Sequence, residues 1–164
     1  MTPNFEIRRA EKSDRLPLQN MLELYSHDLS EFWPMELDAH GLYGYALDKY
    51  WKHETCYPFV FLVDGKYAGF ALVDDSVCLA DNERWMSQFF VIRRYRRTGL
   101  ASIAAKHIFD AVRGKWEVGQ VPKNLGAQAF WRKLINDYTD GQFTDTNYDD
   151  ERWHGPLQCF DNRR

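Results

Sequence analysis

Cysteine is scarce in this chain, with three in 164 residues: Cys56, Cys78 and Cys159. Their number is odd, they stand far apart, and no Cys-x-x-Cys or His-x-His pair accompanies them. Neither a disulfide framework nor a zinc site is expected, so no metal is assigned and the thiols read as reduced, in a cytoplasmic setting. No apolar run approaches the roughly 20 residues that cross a bilayer, which argues against a membrane partner. The opening "MTPNFEIRRAEKSD" lacks the apolar centre of a secretory signal. An excess of positive charge is missing too: 21 Lys and Arg stand against 24 Asp and Glu, a formal net charge of −3. The cluster "RRYRR" with its interleaved Tyr suggests a nucleic-acid patch, but it is isolated in an acidic chain, and no nucleic-acid partner is expected. Repeats, low-complexity tracts and linkers are also lacking, and the expectation is one domain over residues 1–164.

What is present is apolar and aromatic. Hydrophobic residues make up 45% and aromatics 16%, enough for a packed core. "NFEIRR" alternates like a half-buried strand. Ser13 or Asp14 can cap a helix that tolerates Pro17 early and places Leu18, Met21, Leu22, Tyr25 and Leu29 on one stripe. A second, aromatic-rich helix is expected over about Gly41–Trp51. "CYPFVFLVD" and "YAGFALVDD" flank Asp64-Gly65, a strong hairpin signal. A strand over Trp85–Ile92 follows, then a helix over Leu100–Val112, the short strand "KWEVGQV", the helix "LGAQAFWRKLINDY", and two strands around "YDDERWHG". This order implies an α/β or α+β protein with a partly antiparallel sheet.

"VIRRYRRTGLAS" places four arginines directly before Thr-Gly and a helix start. The first N–H groups of a helix lack partners inside it, and with the helix dipole they attract anions. Gly99 removes a side chain that would hold a ligand off the backbone, and Ala101 and Ser102 keep the first turn small. Arg96 and Arg97 add charge and Thr98 a hydroxyl. The arrangement suits a pyrophosphate; the alternative is a solvated basic turn.

These residues resemble the acyl-CoA motif of the GCN5-related N-acetyltransferase (GNAT) family, Gln/Arg-x-x-Gly-x-Gly/Ala after an apolar strand end. Val91, Arg96, Gly99 and Ala101 match its key positions. "PKNLGAQAFWRKL" resembles the family's second motif through Asn124, Ala127, Phe130 and Trp131. The resemblance extends over nearly the whole chain and implies a mixed, mostly antiparallel sheet with a splayed parallel strand pair, flanked by helices. It also implies acetyl-CoA as cosubstrate. The pantetheine arm would pair with backbone groups of Phe89, Phe90 and Val91. Its pyrophosphate would lie on Arg96, Arg97, Thr98, Gly99, Leu100, Ala101 and Ser102, and Asn124, Ala127 and Phe130 would bound the arm.

The catalytic pattern departs from the family. Gln88 stands where a general-base Glu is often found, and an amide cannot accept the proton. Trp131 stands where a general-acid Tyr is frequent, and its indole N–H cannot serve. Gln88 and Tyr25 remain the catalytic candidates, Tyr25 also being a candidate core residue, and His27 could act as a base near neutral pH. Tyr25, Asp28, Glu31, Phe32 and Trp33 fall where the family builds its acceptor pocket, and the acidic and aromatic residues there favour a cationic acceptor. The expected activity is N-acetyl transfer from acetyl-CoA to a primary amine of a small molecule or peptide. The alternative is an acyl-CoA-binding module without transferase activity, and the assembly considered is a homodimer.

Overall fold

The computed structural model describes residues 2–163. Their elements are β1 (Phe5–Arg9), α1 (Arg15–Leu29), β2 (Tyr57–Val63), β3 (Lys66–Asp74), β4 (Arg84–Val91), α2 (Leu100–Ala111), β5 (Lys115–Gly119), α3 (Leu125–Thr139), β6 (Thr144–Asp149) and β7 (His154–Asp161). The sheet runs in the order β1-β2-β3-β4-β5-β7-β6. The β4/β5 pair is parallel, with Arg84 opposite Trp116 and Trp85 opposite Glu117. The β1/β2, β5/β7 and β6/β7 pairs are antiparallel. This is the mixed, mostly antiparallel sheet with one parallel pair that the sequence implied. The chain divides into two compact units. The first runs to Leu72 and includes Gln88–Ala104; the second comprises Val73–Ser87 and the chain from Ala105 onward.

In the first unit, Leu18, Met21 and Leu22 of α1 are buried with Val60 and Leu62 of β2, Phe70 and Leu72 of β3 and Phe90 of β4. Each such side chain contributes about 1.5–3 kcal/mol by leaving water. The β2–β3 hairpin turns on Asp64 (φ 49°) and Gly65 (φ 75°), as the Asp-Gly signal requires. Gly69 answers a different need: a Cβ there would lie 2.2 Å from the Phe90 carbonyl oxygen. Only glycine lets β3 approach the strand that carries Gln88 to Val91 so closely.

Two expectations need correction in this unit. The second helix is absent, and within Gly41–Trp51 only a short 3₁₀ turn forms, Asp48–Trp51. Gly41 (φ 74°) and Gly44 (φ 69°) are left-handed, which a right-handed helix cannot accommodate. Side chains take the backbone N–H groups instead. Asp38 accepts from His40 and Leu42, and Glu23 of α1 accepts from Tyr43 at 2.8 Å and Gly44 at 3.1 Å. Asp14 precedes α1 without capping it by its side chain. It is buried and accepts from Arg8 at 2.7 Å, the Glu11 N–H at 2.7 Å and the Tyr67 hydroxyl at 2.5 Å.

The second unit is held by an aromatic core on one face of β5. Trp116 is fully buried, donates its indole N–H to the Val112 carbonyl, and packs with Phe109 and Phe160. Strand alternation sends the next residue, Glu117, to the opposite face. There the fully buried carboxylate accepts from the N–H groups of Cys78 at 2.7 Å and Leu79 at 2.8 Å and from Asn82 Nδ2 at 2.9 Å. It therefore fastens the segment before β4 onto β5.

Candidate active site

The arginine-rich segment builds a compact turn within the first unit. After Val91, Arg93–Tyr95 make one 3₁₀ turn, Arg96 is extended, and Arg97 (φ 60°) and Gly99 (φ 88°) are left-handed. The Thr98 hydroxyl donates to the Tyr95 carbonyl at 2.6 Å and receives the Leu100 N–H at 3.4 Å, which folds the turn tightly. The Gly99 carbonyl accepts from Ile103 and so opens α2. Leu100 is fully buried and anchors the helix, whereas Arg97, Thr98 and Gly99 are exposed. A Cβ built on Gly99 meets nothing within 4 Å. The glycine therefore answers a backbone requirement, and the space in front of it is open. First-turn N–H groups at Ala101 and Ser102 have no helical acceptor, which makes this end of α2 electropositive.

Arg96 plays a less direct part than the motif suggests. Its Nε donates to the Val91 carbonyl at 2.9 Å, its Nη2 to Asp28 at 2.5 Å, and its guanidinium lies 5.6 Å from the Phe90 ring centre. Arg93 donates to the other Asp28 oxygen at 2.9 Å. Burial acts to raise the Asp28 carboxyl, but the hydrogen bonds from Arg96 and Arg93 outweigh it and leave the group below its ordinary value. Asp28, expected in the acceptor pocket, is thus engaged with two arginines of the turn before α2.

Along β4, Phe90 belongs to the core beneath α1, and Gln88, two residues earlier, shares its face. Gln88 Nε2 lies 3.5 Å from the Tyr45 hydroxyl, and the backbone carbonyl of Tyr45 is held by Gln19 at 2.9 Å. Phe89 turns to the other face and packs on Phe61, ring centres 5.4 Å apart. The Phe90 carbonyl is directed at β3, where Gly69 gives it room.

Tyr25 is held edge-on between Phe70 and Phe90 at 5.8 and 5.7 Å. Burial, with Tyr45 beside it, pushes the phenol well above its ordinary range. At neutral pH it is therefore a neutral, packed hydroxyl and cannot act as a base. His27 Nδ1 lies 3.3 Å from the Tyr43 hydroxyl. Glu31 and Trp33 are exposed and Phe32 half-buried just past the end of α1, with Phe32 and Trp33 both donating their N–H groups to the Leu29 carbonyl.

In the second unit Asn124 caps α3, its side chain accepting the Ala127 N–H at 3.1 Å. That bond accounts for both residues structurally. Phe130 is half-buried and packs edge-on against Trp131 at 5.1 Å. Trp131 is buried, 6.3 Å from Phe109. The Trp at the position of the family's acid is therefore a core residue. Burial and the nearby Glu117 push the Cys78 and Cys159 thiols up to about 11, so both are poor nucleophiles. Among the described residues no group of three or more His, Cys, Asp or Glu side chains converges as metal ligands would, and no helix is long and apolar enough to cross a membrane.

Sequence reading names Tyr45 among the aromatics near the expected acceptor pocket, but neither its contact with Gln88 nor the Asp28–Arg96 contact follows from spacing. Both join residues more than 40 positions apart, and no local pattern carries such a pairing.

The sequence matches the acetyltransferase (GNAT) family over residues 18–135. No curated protein matches it. Among solved structures, an acetyltransferase from Thermus thermophilus superposes with a TM-score of 0.69 at 16% identity, covering 98% of this chain and 99% of that one. The aminoglycoside acetyltransferase AAC(6')-Ib in complex with coenzyme A gives 0.62 at 17% identity, covering 98% and 96%. The ribosomal-protein-S18-alanine N-acetyltransferase from Escherichia coli gives 0.55 at 18%, covering 95% and 91%. At these identities the structures speak for the fold, while the family match spans most of the chain. The open glycine turn at the head of α2 thus lies in a chain that belongs to the GNAT family, the acyl-CoA-dependent N-acetyltransferases.

Proposed function

We propose that this protein transfers an acetyl group from acetyl-CoA to a primary amine of a small molecule or peptide, directly and without an acyl-enzyme. The observation that carries the reading is Gly99: left-handed, open in front, and set at the electropositive start of α2. A turn of this kind fits a pyrophosphate because backbone N–H groups can approach the oxygens without an intervening side chain. Arg96 to Ser102 would hold the pyrophosphate, with Arg94 and Arg97 exposed for further phosphate contact. Of the backbone groups from Phe89 to Val91 expected to take the pantetheine, the Phe90 carbonyl faces β3 and the Val91 carbonyl is engaged by Arg96, so the Phe89 peptide groups and the Val91 N–H are the ones that would pair with it.

Acetyl-CoA supplies the acyl group already activated as a thioester. The acceptor nitrogen must arrive with its lone pair free, so a proton has to leave it and another has to reach the departing sulfur. Gln88 can orient the acceptor or a water but cannot hold that proton. The Tyr45 hydroxyl beside it both donates and accepts, and we assign it the role of passing a proton to or from water. Raised thiol values at Cys78 and Cys159 support direct transfer over a cysteine adduct. A reducing cytoplasm suits the three free cysteines.

The test is turnover of acetyl-CoA against a panel of primary amines and N-terminal peptides, read by thiol release and by the mass of the acetylated product. CoA binding without any product mass across the panel would return the chain to a binding module.

A further inference from the structure

We infer that Asp28 is a positioning residue that limits how tightly the turn before α2 holds phosphate, by keeping two of its arginines occupied. The inference rests on the reading that this turn takes the CoA pyrophosphate.

The geometry is specific. Each Asp28 carboxylate oxygen is taken by a different guanidinium, Oδ1 by Arg93 at 2.9 Å and Oδ2 by Arg96 at 2.5 Å. Arg96 is further fixed by Val91 and by the face of Phe90. It is thereby steered back along β4, although only two residues separate it from Gly99. Asp28 sits in the last turn of α1, and the bonds to Arg93 and Arg96 span 65 and 68 positions of sequence. A carboxylate in this place has two consequences. It cancels one of the four positive charges between Arg93 and Arg97. It also gives the two guanidiniums a resident partner that any phosphate must share or displace.

Both consequences weaken phosphate binding, and they act chiefly on the rate at which a bound phosphate leaves. An enzyme that must discard CoA after every cycle gains from such a competitor, because product release often limits turnover. An ordinary surface ion pair would contribute only a little stability and leave ligand affinity unchanged. The two explanations therefore part on a ligand measurement.

Calorimetric CoA affinity, the CoA dissociation rate and the KM for acetyl-CoA are to be measured on the full chain for wild type, Asp28→Asn, Asp28→Ser and Asp28→Glu. Melting temperatures are recorded alongside. Losing the charge should tighten CoA binding about 3- to 10-fold, as expected for one unit charge acting across a partly screened surface site. Dissociation should slow in proportion and KM for acetyl-CoA should fall, while Asp28→Glu returns affinity towards wild type. If the Asn variant does not fold, the Ser variant carries the same expectation. Unchanged or weaker CoA binding in a folded Asn or Ser variant overturns the inference. Gly99→Glu separates this failure from a failure of the underlying reading. If that variant keeps CoA, the pyrophosphate is elsewhere and both fall. If it loses CoA while Asp28→Asn leaves affinity untouched, only the role of Asp28 is wrong.

Discussion

Replacing Gly99 by glutamate isolates the backbone requirement of the turn before α2 from its charge requirement. The position has a φ of 88° and a new Cβ meets no atom within 4 Å, so a side chain can begin there without a clash. Alanine and glutamate both incur the same left-handed strain, about 1–2 kcal/mol of stability. The two variants should therefore melt together, a few degrees below wild type. They should differ in CoA affinity. A glutamate carboxylate about 6 Å from a phosphate charge, at an effective dielectric constant near 20, opposes binding by about 3 kcal/mol, roughly a 100-fold loss. Alanine adds bulk without charge, and its loss should be several-fold smaller. Isothermal calorimetry with CoA on both variants, with melting curves taken on the same preparations, measures each quantity. A folded Gly99→Glu protein that binds CoA within about 3-fold of wild type would refute the placement of the pyrophosphate.

Gln88→Ala should slow acetyl transfer by well under the roughly 10²–10⁴-fold typical of losing a true acid–base group, and Gln88→Glu should keep activity; rates across pH, with melting temperature recorded, check both. Tyr45→Phe should leave CoA affinity intact while lowering kcat, and a loss confined to KM would remove it from proton handling. The triple serine variant of Cys56, Cys78 and Cys159 should retain CoA binding and transfer, and an acetylated cysteine trapped after a brief pulse would contradict direct transfer. Asp14 makes a pH prediction: hydrogen bonding to Arg8, chiefly, holds its carboxyl at about 2, below an unfolded value of about 3.9. Its contribution to stability, about 2 kcal/mol, is present above pH 4 and lost as pH falls from 4 towards 2, and denaturant melts of Asp14→Asn should lack that pH dependence.

Much of the fold was legible because its signals are local. The stripe Leu18–Met21–Leu22, the Asp64-Gly65 turn and the Thr98-Gly99 helix start each act within a few residues, and each folds as its chemistry suggests. The stretch Gly41–Trp51 failed for a reason that is also physical. Its aromatics imitate a helical pattern, but Glu23, about 20 residues away, claims the N–H groups of Tyr43 and Gly44. Two left-handed glycines then set a loop. Asp14 shows the same limit: its position promised a helix cap, while its partners Arg8 and Tyr67 come from two strands. Asn124, expected from the motif to bound the pantetheine arm, is a helix cap, its side chain accepting the Ala127 N–H.

The molecule divides its work between groups that can be read from a motif and groups that can only be read from packing. Phosphate recognition belongs to the first kind, since a helix start needs only small residues and a glycine in a fixed order. Proton transfer belongs to the second, since a hydroxyl or an amide acquires its role from what surrounds it. Tyr25 and Tyr45 illustrate this within one unit. Tyr25, enclosed by Phe70 and Phe90, is held neutral and spent on packing. Tyr45, on the loop that Glu23 and Gln19 tie to α1, brings its hydroxyl to Gln88. The same side chain is core in one place and, in the other, a hydroxyl set beside Gln88, where the proposed proton handling would fall to it. The difference comes from the anchoring of a loop by two polar residues of α1, so the helix that packs Tyr25 into the core also holds the loop that brings the Tyr45 hydroxyl to Gln88.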